Sequence, residues 1–143
     1  MTRNHNAFYH NYEMEIKIIK VYQAGNTIYK AKDVSDGIFI IHSGSVEVST
    51  KGGVALATLN EGEMFGEISE ILEEPHSVTA KAKTDCTLMH IENSTIATKL
   101  QSTDPAIKAI LRALALRLSE TDRKYELSWN ELQIYKSLSP RNF

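Results

Sequence analysis

The chain has 143 residues, enough for one well-packed domain and too few for two. Sixteen Lys+Arg stand against 18 Asp+Glu, a net charge of -2, so the basic excess of a phosphate-gripping nucleic-acid binder is missing. The single cysteine, Cys86, excludes an intramolecular disulfide and any multi-thiolate metal site.

The N-terminus, Met1 to Asn11, is polar and lacks the apolar run of a signal peptide. No stretch approaches the roughly 18 consecutive apolar residues of a membrane span, so the expectation is a cytoplasmic protein with no membrane partner. The chain then divides into two regimes. All seven glycines lie between Gly25 and Gly66, among short β-type runs, and no glycine follows. Expected strands are Ile16–Tyr22, Thr27–Tyr29, Ile38–His42, Ser45–Thr50, Val54–Leu59, a short run ending at Met64-Phe65, Val78–Lys83 and Thr87–Ile91. Ser45 to Ser49 alternates polar and apolar, and Lys51-Gly52-Gly53 turns the chain into Val54 to Ala57, a hairpin expected to use a primed turn. Short strands at this spacing point to a sandwich or barrel.

From Asn93 the periodicity is helical. A short helix is expected over Asn93–Leu100. Ser102-Thr103-Asp104-Pro105 then supplies a cap and a proline in the first turn of a helix running over 104–136. Positions 107, 111, 114, 118, 121, 125, 128 and 132 follow 4-3 spacing, with Ile107, Leu111, Leu114 and Leu118 as a plausible seam. The first two turns are expected to pack on the chain's own β-domain. The distal part outreaches a small domain and is expected to meet a partner helix. The domain layout is therefore a polar segment at 1–14, one domain at 15–136, and a tail at 137–143.

The stretch from Leu59 to Ala82 carries the most chemistry. A strand ends at Met64-Phe65, Gly66 follows, and a helical turn spans Glu67 to Leu72 before a strand from Ser77. A glycine opening a short helix presents free backbone N–H groups to an anion, a weak signal when taken alone. No Ser/His/Asp nucleophile arrangement, P-loop or dinucleotide fingerprint is present. There is no His-x-His pair. Cys86 and His90, four apart on one strand, lie about 13 Å apart, too far to share a metal; they are expected as a core Cys and a surface His. No cofactor and no enzymatic activity are expected.

Ala24-Gly25 before Ile28, Gly37 to Ile41, Ser43-Gly44, Gly62-Glu63 and Phe65-Gly66-Glu67-Ile68 occur in an order that resembles the cyclic nucleotide-binding domain. That family supplies the sensor module of catabolite-activator/FNR-type regulators, protein kinase A regulatory subunits and cyclic-nucleotide-gated channels. The resemblance implies a mainly β fold with α: an eight-stranded β-roll, jelly-roll-like (a double-stranded β-helix), flanked by helices. A long C-terminal helix closes over the pocket and often dimerises. The implied ligand is cAMP or cGMP.

The resemblance implies a binding segment of Phe65, Gly66, Glu67, Ile68, His76, Ser77 and Val78, with Thr121 near the base. Glu67 would accept the ribose 2′-hydroxyl, the amides around Gly66 and Ile68 would line ribose and phosphate, and Ser77 would serve the phosphate. The family's phosphate-pairing arginine falls at His76. Arginine presents a permanent, planar charged fork; histidine titrates near pH 6.5 and offers one N–H in that direction. From Gly52 to Ala80 there is no Lys or Arg, against Glu61, Glu63, Glu67, Glu70, Glu73 and Glu74. The substitution is expected to weaken phosphate binding by about 2–4 kcal/mol.

Two readings of His76 stand: a replacement phosphate ligand favoured when protonated, or a solvent-facing loop residue beside a pocket that has lost or changed its ligand. Glu67 could equally be a helix N-terminal acid stabilised by the dipole, and Thr121 a polar seam position. Arg117 and Arg123 have a solvated face as their default. DNA-binding members continue past the long helix with a helix-turn-helix, by resemblance; only Ser137–Phe143 follow Lys136 here. The expectation is a stand-alone sensor, without DNA, that homodimerises through Leu111, Leu114 and Leu118 and signals to an effector protein. The alternative is an interaction module with a nucleotide-free pocket.

Overall fold

The computed structural model describes residues 18–138; the segment 1–14, the expected strand start at Ile16 and the last five residues of the tail lie outside the described residues. Eight strands are present: β1 (Ile18–Tyr22), β2 (Thr27–Tyr29), β3 (Gly37–Ser43), β4 (Val46–Thr50), β5 (Ala55–Leu59), β6 (Met64–Phe65), β7 (Val78–Ala82) and β8 (Cys86–Glu92). They form two antiparallel four-stranded sheets, ordered β1-β8-β3-β6 and β2-β7-β4-β5. Among the described residues three helices accompany them: α1 (Glu67–Leu72), α2 (Asn93–Gln101) and α3 (Pro105–Leu138). The fold is the expected mainly β roll with a long C-terminal helix.

The strands at the centre of the first sheet are apolar on both faces because both faces are covered. On β3, Phe39 and Ile41 point into the roll and join Val46, Phe65, Ala80 and Leu88. Ile40, between them, faces outward and packs with Met89 and Ile91 of β8 and Ile96 of α2. Period-2 alternation thus serves two cores at once. It also corrects the expectation for His90. Paired with Phe39 across the β3–β8 ladder, it is buried and stacks on the Phe39 ring at 4.6 Å. Cys86 is buried as expected.

The β4–β5 hairpin forms, but not on a primed turn. Gly53 N–H donates to Thr50 O at 2.9 Å, and only Gly53 takes a left-handed conformation there (φ 90°). The register slips between Val48 and Ser49, so a bulge absorbs the extra residue of a longer loop.

At 34 residues, α3 is about 51 Å long. Pro105 opens it, and Asp104 Oδ1 accepts from Ala106 N–H at 2.8 Å, a side-chain cap. Leu111, Ala115, Ser119, Asp122 and Glu126 are the covered positions along one stripe. Contact with the roll therefore runs beyond the first two turns, out to Glu126, whose Oε1 accepts from Gly52 N–H at 3.0 Å. The expected seam divides. Leu111 is half-buried within the chain's own fold, whereas Leu114 and Leu118 are exposed, as are Trp129 and Leu132 farther on. Among the described residues no helix is long and apolar enough to cross a membrane.

Candidate functional site

The site begins at two glycines. Gly66 sits at φ 84° and ends β6 where α1 begins; a Cβ there would lie 3.1 Å from Gly37 O and 3.7 Å from His76 Cε1. Gly37, at φ 141°, has Ile91 O where its Cβ would be, only 2.0 Å away. Both positions need the freedom and the missing side chain of glycine. Together they bring β3, α1 and the segment before β7 against each other.

The segment before β7 is clamped by backbone bonds to the β2–β3 loop. His76 N–H donates to Asp33 O at 2.9 Å, and Lys32 N–H donates to His76 O at 2.6 Å. Lys32 adopts a left-handed φ of 78° to do so. The clamp turns the His76 side chain inward. Only 3% of it is exposed, which corrects the solvent-facing reading. Its ring lies flat on Tyr29, 3.6 Å between centroids and 4° between planes. Its Nδ1 is 3.0 Å from Ser69 Oγ, and Ser69 Oγ donates to Gly66 O at 2.9 Å. His76 Nε2 is buried with no hydrogen-bond partner among the described residues.

These groups line one cavity of about 500 Å³ between the roll and α3. All eight residues singled out from the sequence border it: Phe65, Gly66, Glu67, Ile68, His76, Ser77, Val78 and Thr121. The remaining wall is largely apolar, with Val48, Leu56, Leu59, Met64 and Leu118. Phe65 is buried and stacks on Phe39 at 5.2 Å, so it presents a rigid wall. Ser77 is exposed. Thr121 Oγ1 donates within the helix to Arg117 O at 2.8 Å, which leaves its oxygen free to accept.

The electrostatics are acidic. Glu67 and Asp122 are the carboxylates of the lining, and no Lys or Arg belongs to it. Burial raises the Glu67 carboxyl above its ordinary range, partly offset by a backbone hydrogen bond. Burial also raises Asp122. Burial lifts the Tyr29 hydroxyl far above the usual tyrosine value, with the nearby Glu67 charge adding to it. His76 is shifted the other way. Desolvation lowers its pKa, opposed by Asp36 and Asp33, so burial favours the neutral ring. Lys51, on the β4–β5 turn, lies against Lys32, which lowers its pKa; neither lines the cavity.

Among the polar lining residues, Tyr29, Ser69, Asp122 and Tyr125 escaped the sequence reading of the site. Tyr29 is the inward residue of an expected strand. Ser69 lies three residues after Gly66, one helical turn away. Asp122 follows Thr121 and lies four residues from Leu118, on the same helix face. Arg117 and Arg123 do not line the cavity. Among the described residues no group of three or more His, Cys, Asp or Glu is placed to hold a metal.

A model of the cyclic nucleotide-binding domain matches residues 19–103. The chain belongs to that family. Among its relatives, the cAMP-dependent protein kinase regulatory subunit of Schizosaccharomyces pombe is 33% identical over 75 residues, 52% of this chain and 18% of that protein. The HTH-type transcriptional regulator Cmr of Mycobacterium tuberculosis is 28% identical over 105 residues, 71% of this chain and 43% of the regulator. This chain thus spans less than half the length of these relatives. Among solved structures, the cAMP-bound form of the EAL enzyme Bd1971 superposes with a TM-score of 0.70 at 25% identity, over 83% of this chain and 33% of that one. A putative cyclic nucleotide binding protein from Ruegeria pomeroyi superposes with a TM-score of 0.59 at 20% identity, over 90% of this chain and 55% of its own, and shares the fold.

Proposed function

We propose that this chain is a non-catalytic regulatory sensor that takes a cyclic nucleotide, cAMP or cGMP, in the cavity beneath α3. The observation that carries the reading is convergence. Residues from the β6–α1 junction, the start of β7 and the middle of α3 border one cavity of about 500 Å³, although no two of the three segments are adjacent in sequence. Glu67 accepts the ribose 2′-hydroxyl, and the Gly66 and Ile68 amides face ribose and phosphate. Ser77 offers its hydroxyl to the phosphate at the mouth. His76 takes the arginine's place, in a field of carboxylates that weakens anion binding. Thr121 and Asp122 meet the base, where a carboxylate pairs with the N–H edge of guanine and repels the N1 acceptor of adenine.

The output is movement of α3. Leu118, Thr121, Asp122 and Tyr125 of α3 line the cavity, so a ligand that prefers one helix position shifts its population. The exposed Leu114, Leu118 and Trp129 suit a homodimer or an effector protein, with the cytoplasm as the working compartment. Calorimetric titration of the refolded, ligand-stripped chain with cAMP and cGMP at about pH 6 and pH 8 tests the reading. Micromolar binding that weakens at the higher pH supports it; a folded sample that binds neither nucleotide overturns it. The second reading is an interaction module with a nucleotide-free pocket. The absence of Lys and Arg from the cavity lining favours it.

A further inference from the structure

Ser69 and His76 form a hydrogen-bond chain with a direction. Ser69 Oγ donates to Gly66 O at 2.9 Å, and the same oxygen lies 3.0 Å from His76 Nδ1. A hydroxyl has one proton. With that proton on the carbonyl, the contact to the ring requires a proton on Nδ1. The neutral ring then carries a bare lone pair on Nε2. That atom is buried and without a partner among the described residues, in a side chain that lines the cavity. An orphan of this kind calls for a partner that the fold itself does not supply.

A cyclic phosphate presents only acceptor oxygens. The Nε2 lone pair repels it, and an N–H at Nε2 binds it. With Nδ1 already protonated, Nε2 gains its proton only when the ring becomes imidazolium. We propose that Ser69 is a positioning residue: by holding the proton on His76 Nδ1, it couples capture of the nucleotide's phosphate to uptake of one proton at His76 Nε2. The inference rests on the nucleotide reading above. The proton comes from solvent, the ring passes from neutral to singly positive, and the phosphate supplies the counter-charge. No covalent bond to the ligand forms.

The surroundings fit this coupling. Tyr29 of β2 stacks on the ring. Asp33 and Asp36 of the β2–β3 loop favour the charged form, while desolvation holds the ligand-free ring neutral. Glu67 of α1 and Asp122 of α3 share the cavity, with no Lys or Arg among the lining residues to oppose protonation. Among the described lining residues, the histidine is the site's only route to a positive side chain.

The test uses the full chain. In the ligand-free protein, long-range ¹H–¹⁵N correlation of the His76 ring reads the tautomer. The Nδ1–H form is expected, and a dominant Nε2–H form overturns the proposal. Calorimetry with cAMP and cGMP at about pH 7.5, in two buffers of contrasting ionisation enthalpy, reads proton uptake. About one proton per bound nucleotide is expected, falling on acidification as the free ring itself charges. Ser69→Ala frees the neutral ring to place its proton on Nε2, so uptake drops below about half a proton while binding persists, and Ser69→Thr restores it. Full uptake in Ser69→Ala overturns the role of Ser69. Wild-type binding without uptake overturns the coupling and leaves the nucleotide reading standing. Failure of both wild type and His76→Arg to bind either nucleotide overturns that reading, and the coupling with it.

Discussion

Replacing His76 with phenylalanine separates what this ring costs the fold from what it offers a ligand. Phe keeps a flat ring for the stack on Tyr29, which lies 3.6 Å away, and removes the unpartnered Nε2. Leaving such an atom buried costs about 1–3 kcal/mol, and the lost Nδ1–Ser69 hydrogen bond returns about 0.5–1.5 kcal/mol. The net expectation at neutral pH is a gain of up to about 2 kcal/mol, lowered by any overpacking. The pH slope is independent of that packing term. Because burial lowers the pKa of His76, the unfolded chain takes up its proton first as pH falls. Stability is complete above the unfolded value near 6.5 and is lost as pH drops through the folded one, by about 1.4 kcal/mol per unit of depression. Urea unfolding of both proteins at several pH values from about 7.5 to 5 measures this. The wild type should lose stability over that range and His76→Phe should lose less. Parallel slopes would refute a neutral, desolvated His76.

Glu67→Gln should stabilise the ligand-free chain at neutral pH. Burial raises the folded pKa of this carboxyl, so its charged form penalises the fold above the unfolded value and the penalty lifts on acidification. The same variant should weaken nucleotide binding by about tenfold or more through the ribose hydroxyl; titration and thermal melts check both. His76→Arg should tighten nucleotide binding by about 30-fold or more and abolish its pH dependence. Asp122→Ala should lower the cGMP-to-cAMP affinity ratio by about tenfold, measured by competition with a fluorescent nucleotide. Glu126→Ala removes the acceptor of Gly52 N–H; it should speed hydrogen exchange in the distal half of α3 while costing the roll about 1 kcal/mol or less.

Local chemistry was enough for much of the roll. Period-2 runs bounded by glycine marked the strands, and Gly66 followed by Glu67–Leu72 marked the junction between strand and short helix. Asp104-Pro105 marked the start of the long helix. Each of these depends on residues a few positions apart, where turn and capping preferences act. The same locality explains the errors. The Gly-Gly pair invited a primed turn, but the bulge between Val48 and Ser49 let an ordinary turn serve.

The order of glycines and apolar residues also carried the cavity's strand and loop positions. It did not carry their environment. One of the two readings of His76 left it facing solvent, as Glu74, Pro75 and Ser77 do; only the backbone clamp from Lys32 and Asp33 and the Tyr29 stack turn it inward. His90 is buried because its strand is sandwiched between β1 and β3. The 4-3 stripe of α3 suggested one seam, yet the roll selected Leu111, Ala115, Ser119, Asp122 and Glu126, left Leu114 exposed and set Leu118 at the cavity wall. Periodicity names the faces of a helix, and the surface it meets decides which face is covered. In this protein the residue order determined a β-roll with a long helix and the place of its pocket. Long-range packing alone decided that the pocket's histidine is buried, its pKa lowered by desolvation and one nitrogen without a partner among the described residues.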